Sequence, residues 1–444
     1  MLINPIGEFP LGDDWAYSKR IWNLVENGTI ESPNWGGALF FTQLFWGAAF
    51  CKIFGFSFTI LRISEIIASL FCIIIFYAIV RKITNSSRLT FFTTMLFALN
   101  PIFVYQSNTF QPDIPYTLLA ILSVYFFLEY ITKYGLRDYA LGLSFAFLAT
   151  LQKQTGISIA LGFTLCFFLF NKVKTRSFIA GIFPMILLIS CVVLFMLNNV
   201  IAAGDNIQVK LFINSLLNPD LQTAKKFGFY AINTSLSLGL FLSPIVLPAA
   251  INISRARYSR RHRIILTLIF IVYVILILLK TYLRTRIGFQ GGGSQYLPFS
   301  GNSIYDLGMG PILLTGVLQN EIPDLPKLGE YIWLSISIIG AAGFLSFLYL
   351  FICMIREHLN IKRDNSDYTL IAGIFSITTA VAYLTPILFV YANSKYLVAV
   401  IPFTFIASVS SIEFLRKTCR APYLTNYAIA VPLALPLILF GVLA

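Results

Sequence analysis

Apolar runs long enough to cross a bilayer alternate with short polar segments along most of this chain. They lie at about 58–80, 88–107, 112–132, 138–152, 155–170, 177–200, 229–253, 264–280, 331–355, 368–391, 396–413 and 425–443. The pattern predicts an all-α polytopic membrane protein of about 12 transmembrane helices, folded as a single domain over 1–444. The N-terminal part reads differently. Residues 14–26 are helical but amphipathic, and 37–55 carry Lys52 and end at Gly55, which leaves little room for a turn before the next run. Trp15, Trp22, Trp35 and Trp46 fall here, and tryptophan favours the membrane–water interface. Both segments are therefore expected to lie along the membrane surface, within an outer loop over 1–57.

Composition agrees with lipid as the solvent. Hydrophobic residues make up 57% of the 444 and charged residues 11%, against about 25% charged in an ordinary soluble domain. Soluble enzymes, disordered chains and small disulfide scaffolds are excluded. The formal net charge of +13 is no nucleic-acid footprint. Six basic clusters (Arg81/Lys82/Arg88, Lys133/Arg137, Lys172/Lys174/Arg176, Arg255 to Arg263, Arg356/Lys362/Arg363 and Arg416/Lys417/Arg420) hold 19 of the 32 Lys and Arg. All six fall on one side, as expected for cytoplasmic loops. The opposite side receives 1–57, the turns near 106–113, 152–156 and 391–395, and loops near 201–228 and 281–330. The opening MLINPIGEFPLGDDW reads as the exit of a preceding span, which would make 13.

Polar chemistry is expected on that outer side. Asp13 and Asp14 open the first amphipathic helix, where Asp13 is a natural cap and Asn27-Gly28 a natural stop. Two adjacent carboxylates also raise one another's pKa, which suits a base. Asp113 lies between Pro112 and Pro115 at the start of a span, where a capping role competes with a functional one. Lys153, between two glutamines, and Lys395, before Tyr396, are cations at outer turns; each could equally be snorkelling or anchoring. Arg62 and Glu65 lie one turn apart and are expected to pair with each other. Arg284 and Arg286, in the 281–330 loop, suit phosphate through their guanidinium groups; Gly291-Gly292-Gly293-Ser294 nearby could offer backbone N–H groups. The six cysteines form no ligand pattern, and only His262 and His358 are present, so neither a thiolate nor a histidine base is expected. No metal ligand set is read from the spacing. Carboxylates and cations alone suit displacement of a phosphate from a sugar by a hydroxyl. A lipid-linked donor would reach such a site sideways through the bilayer.

The order of these residues resembles the GT-C superfamily of polyprenyl-phosphate-sugar glycosyltransferases. It is most similar to family 39, the protein O-mannosyltransferases and the lipid A aminoarabinose transferase-like enzymes. Asp13-Asp14-x-x-Tyr17 matches that family's Asp-Glu-x-x-Tyr; Phe54-Gly55-Phe56-Ser57 with Arg62, Asn100-Pro101, Asp113, Lys153 near Gly156, and Lys395-Tyr396 with Pro402 follow in order. The resemblance covers about 8–160 well and the remainder loosely. It implies Asp13 as the base, with Asp14 and Asp113 as further acidic site residues. Lys153 and Lys395 would face the lipid phosphate, with Tyr17, Arg62, Arg284, Arg286 and Tyr396 as substrate contacts. It further implies an integral protein of a bacterial inner membrane, working on its extracytoplasmic face. The donor would be a polyprenyl-phosphate sugar and the acceptor a lipid, glycan or protein hydroxyl; membrane lipids are partners and nucleic acid is not. The stretch Ser32-Pro33-Asn34-Trp35-Gly36-Gly37 lacks the cation that relatives often carry there, which leaves a divalent cation open. Two other readings fit the same residues: a carrier or flippase of lipid-linked sugars without chemistry, and a polysaccharide polymerase or ligase.

Overall fold

A computed structural model describes residues 6–11, 13–30, 39–171, 175–197, 211–257, 268, 270–275, 330–361, 367–390, 394–419 and 430–434. Every regular element among them is helical. The first eight α-helices are α1 (Asp14–Asn27), α2 (Phe41–Phe54), α3 (Phe58–Ile83), α4 (Ser87–Ala98), α5 (Pro101–Ser107), α6 (Asp113–Lys133), α7 (Leu136–Gln152) and α8 (Ile157–Phe170). Longer helices follow at Thr175–Leu197, Leu221–Arg257, Glu330–Ile361 and Tyr368–Val390, and a 3-10 turn over Ser394–Ala399 leads into Ile401–Cys419. Six helices among the described residues are long and apolar enough to span. The chain is an integral membrane protein.

Local chemistry explains where these helices begin and end. Gly28 stops α1 with φ at 65°, its N–H donating to the Asn23 carbonyl; the left-handed region is where glycine replaces other residues at least cost. Ser57 caps α3 by accepting from the N–H groups of Thr59 and Ile60. Helix α2 starts only at Phe41, because Phe40 adopts a positive φ of 67° and sends its N–H to the Gln152 carbonyl, 3.0 Å away.

Three expectations change in detail. The run over 88–107 is two helices, α4 and α5, bent by 57°. Pro101 has no N–H to continue the ladder, and the Asn100 side chain restarts it by accepting from Ile102 and Phe103. The outer loop near 201–228 is helical over 211–217 and again from Leu221; Asp220 caps that second helix by accepting from the Thr223 N–H at 2.6 Å. The run at 396–413 begins as the 3-10 turn, and its α-helix starts at Ile401. Most of 264–280 and 425–443, and all of 281–329, lie outside the described residues.

Lipid tails are as apolar as leucine, so close backbone approach and polar ties hold spanning helices together. The helices Leu221–Arg257 and Glu330–Ile361 meet through glycines. A Cβ on Gly239 would lie 2.0 Å from the Gly340 carbonyl oxygen, and one on Gly343 would lie 2.0 Å from that of Gly239. At the end where α3 and α6 finish, Lys82 and Lys133 both donate to Glu129 at 2.6 Å. Thr84 bonds Glu413, which also accepts from Arg416. The Arg81/Lys82, Lys133 and Arg416/Lys417 clusters thus share one end of the bundle. Asp13, Asp113, Lys153 and Lys395 gather at the other. Cys51, Cys72, Cys166, Cys191 and Cys353 are buried and unbridged, as small apolar side chains.

Candidate functional site

Four segments converge on the site: the N-terminus of α1, the N-terminus of α6, the turn joining α7 to α8, and the 3-10 turn before Ile401. Asp13 stands at the N-cap position of α1, but its side chain makes no capping bond. Its carboxylate instead accepts from Lys395 Nζ at 2.7 Å. Asp113 is the first residue of α6, after Pro112, whose ring has no group to cap the helix, and its Oδ1 accepts from Lys153 Nζ at 2.7 Å. The capping roles expected for both carboxylates give way to ion pairs across the fold.

Lys153 reaches this place because α7 ends there. It is the C-cap residue, with extended backbone at φ −144° and ψ 137°, and the 3-10 turn of Gln154–Gly156 re-aims the chain into α8. The turn needs a glycine: a Cβ on Gly156 would lie 2.5 Å from the Thr150 backbone nitrogen. The Lys153 side chain is 11% exposed and its partner Asp113 is 1% exposed, so Lys153 does not snorkel to solvent.

Tyr396 joins the two pairs. Its ring centre lies 4.9 Å from Lys153 Nζ and 5.7 Å from Lys395 Nζ, within cation–π range. Tyr116 presents a second ring 5.9 Å from Lys153. Burial by itself would lower the Lys395 pKa, but Tyr396, Asp13 and Asp113 hold it above the ordinary lysine value. Two cations and two carboxylates are thereby packed around one aromatic ring. Asp13 is the most open of the four, its side chain 37% exposed.

Asp14 has a different environment from its neighbour. It is fully buried, accepts from the Leu11 N–H at 2.6 Å, and lies 4.0 Å from Arg62. Its pKa rises to about 7, and burial is the chief cause; repulsion from Asp13, the reason expected from the sequence, contributes least. The Arg62 ion pair pulls the other way and loses. Arg62 stands at a distance and directs its NH1 and NH2 groups to the Gly7 and Phe9 carbonyls. It also lies over the Phe9 ring at 5.2 Å. Arg62, 2% exposed, therefore ties residues 7–14 to α3, and Glu65, the partner expected for it, accepts from Gln43. Tyr17 is 6% exposed and stacks on Phe40 at 4.9 Å, among Ile21, Leu44, Leu61 and Phe110. Arg284 and Arg286 lie outside the described residues.

A buried polar layer binds α2 to the spans. Gln43 donates to Glu65 and to the Gln111 carbonyl. Gln152 and Gln43 exchange bonds, from the Gln43 N–H to Gln152 Oε1 and from Gln152 Nε2 to Gln43 Oε1, each 2.9 Å. Gln152 Nε2 also reaches the Pro112 carbonyl. This layer fixes the backbone beside Asp113 and Lys153. Gln43 was not singled out from the sequence; its one signal is an amide within a mostly apolar helix. Among the described residues, no group of three or more His, Cys, Asp or Glu could hold a metal ion.

Residues 43–200 match the family model described as dolichyl-phosphate-mannose-protein mannosyltransferase. The resemblance read from motifs is thus found over that stretch, which contains Arg62, Asp113 and Lys153 but not Asp13 or Lys395. An uncharacterized protein of Aquifex aeolicus (strain VF5) is 25% identical over 121 residues, which is 26% of this chain and 24% of that protein. The chain thus spans about a quarter of the length of the curated relative it matches. Crystal structures of ArnT from Cupriavidus metallidurans, in the apo state and bound to undecaprenyl phosphate, are each 13% identical. They cover 93% of this chain, and 73% and 74% of theirs, with TM-scores of 0.37 and 0.38. Superpositions that loose carry no residue correspondences.

Proposed function

We propose that this protein is a membrane glycosyltransferase of GT-C type. It moves a sugar from a polyprenyl-phosphate carrier to a hydroxyl of a lipid, glycan or protein, with inversion, on the extracytoplasmic face of the membrane. The observation that carries this reading is the meeting of the Asp13–Lys395 and Asp113–Lys153 pairs around Tyr396. The match to mannosyltransferases over 43–200 supports the reaction class. The position of the pairs, opposite the basic clusters, supports the outer face.

The chemistry follows from the charges. Asp13, the more exposed carboxylate, takes the acceptor hydroxyl proton as that oxygen bonds to the anomeric carbon. The bond from that carbon to the phosphate oxygen breaks, and polyprenyl phosphate leaves with the electron pair. Lys153 and Lys395 offset the charge on the departing phosphate, which needs no proton to leave. Asp113 keeps Lys153 in place before the donor arrives. Attack from the side opposite the phosphate inverts the anomeric centre.

The test is release of free polyprenyl phosphate from a mixed pool of lipid-linked monosaccharides. Nanodiscs would hold wild type or Asp13→Asn, with a membrane extract of the source organism supplying the acceptor. Wild type alone should release carrier. Equal release by Asp13→Asn would refute the base. Binding of the lipid by both proteins, with release by neither, would favour a carrier or flippase.

A further inference from the structure

The polar side chains of α5 and the turn after it nearly all satisfy themselves locally. Ser107 donates to the Phe103 carbonyl, Asn108 to that of Val104, and Thr109 to that of Gln106. The Gln106 side chain does not. It is 1% exposed, and neither its amide nitrogen nor its amide oxygen has a hydrogen-bond partner among the described residues. An amide buried in that state is costly. Helix α5 packs on the 394–399 turn that carries Lys395 and Tyr396. The residue beside Gln106, Tyr105, sits in the field of Lys395, Asp14 and Asp13. Two further buried polar atoms without partners flank the other ion pair: Gln111 Oε1, two residues before Asp113, and Thr155 Oγ1, two residues after Lys153.

We propose that Gln106 is a specificity-determining residue that binds hydroxyl groups of the donor sugar. The inference rests on the reading of the site as one for a lipid-linked sugar, and it assigns the part of that ligand the ion pairs leave unaddressed. A primary amide offers a donor and an acceptor side by side, as two neighbouring sugar hydroxyls do. A phosphate is acceptor-only and would leave the amide oxygen unmatched, and a polyprenyl tail would match neither atom. The cations serve the phosphate; the neutral amide serves the sugar.

The experiment measures affinity in nanodiscs for polyprenyl-phosphate mannose, glucose and arabinose, each against bare polyprenyl phosphate. Wild type should prefer at least one glycosylated lipid. Gln106→Met, of similar volume and without the amide, should cut that preference about 10-fold while affinity for the bare carrier holds and the thermal midpoint holds or rises, since the unpartnered amide is removed. An unchanged preference overturns the proposal, as does an equal loss for both ligands or a wild type with no preference. If Gln106→Met fails to insert, Gln106→Asn, which keeps the amide one methylene shorter, carries the same comparison. Sugar preference that depends on Gln106, in a protein that releases no carrier, would sink the transferase reading alone.

Discussion

Lys395 Nζ lies 2.7 Å from Asp13 Oδ2, joining residues 382 positions apart in the chain. The contact closes the bundle: it brings the first described helix to the turn before the last long one. It also places a cation within reach of both the candidate base and Tyr396. Lys395→Ala should therefore lower transfer about 100-fold or more, and Lys395→Arg should retain part of it. Single-turnover rates in nanodiscs decide the matter; wild-type turnover in Lys395→Ala would remove the lysine from the site.

The Asp113–Lys153 pair is more deeply buried, so removing one partner leaves a charge without compensation. Lys153→Met alone should destabilise the protein by about 3 kcal/mol or more. Lys153→Met with Asp113→Asn should regain much of that loss, although it abolishes transfer. Thermal unfolding of the two single variants and the double variant forms the cycle that measures the coupling. Strictly additive losses would mean that the pair contributes no coupling.

Asp14 predicts a pH dependence of stability. Its pKa in the folded protein is about 7, above the ordinary aspartate value of 3.8. The folded state thus holds a proton that the unfolded chain releases earlier. Stability from this group is full below about pH 4, declines as pH rises toward 7, and is lost above it. The full effect is on the order of 4 kcal/mol. Asp14→Asn keeps the acceptor for the Leu11 N–H and should flatten the thermal midpoint between pH 4 and 8. A slope identical to that of wild type would show that another group titrates.

Gly239 has no room for a side chain. Gly239→Ala would push a methyl against the Gly340 carbonyl oxygen and should separate the two long helices, at a cost of about 1–3 kcal/mol. Gly228, with open space around it, is the control. Gly228→Ala should leave the thermal midpoint in detergent within about a degree or raise it slightly. Equal midpoints for the Gly239 and Gly228 variants would show that the helices can part without loss.

The bundle was legible because a bilayer imposes a length and a polarity on every span. Runs such as 58–80 and 112–132 return as Phe58–Ile83 and Asp113–Lys133. The Gly28 stop and, among the described residues, the sharing of one end by the Arg81/Lys82, Lys133 and Arg416/Lys417 clusters followed from simple rules in the same way. Local rules also placed the fold in 88–107 at Asn100-Pro101 only after the fact, since a proline tolerated within many spans breaks this one where Asn100 can restart the helix.

The candidate site divides along the same line. The sequence by itself determined which residues carry charge at the ends of helices: Asp13, Asp14, Asp113, Lys153 and Lys395 are few, and apolar neighbours expose them to view. It could not say which charge meets which. Pairing depends on distances between segments hundreds of residues apart, and on the competition between a local cap and a distant cation. In water a helix N-terminus would satisfy Asp13 and Asp113; here each has a lysine at 2.7 Å. The same holds for Arg62, whose nearest carboxylate in sequence is Glu65 but which reaches Asp14 and the Gly7 and Phe9 carbonyls. Only the tertiary structure decided these partners, because burial removes water as the alternative and makes the arrangement of the few remaining polar groups the controlling term.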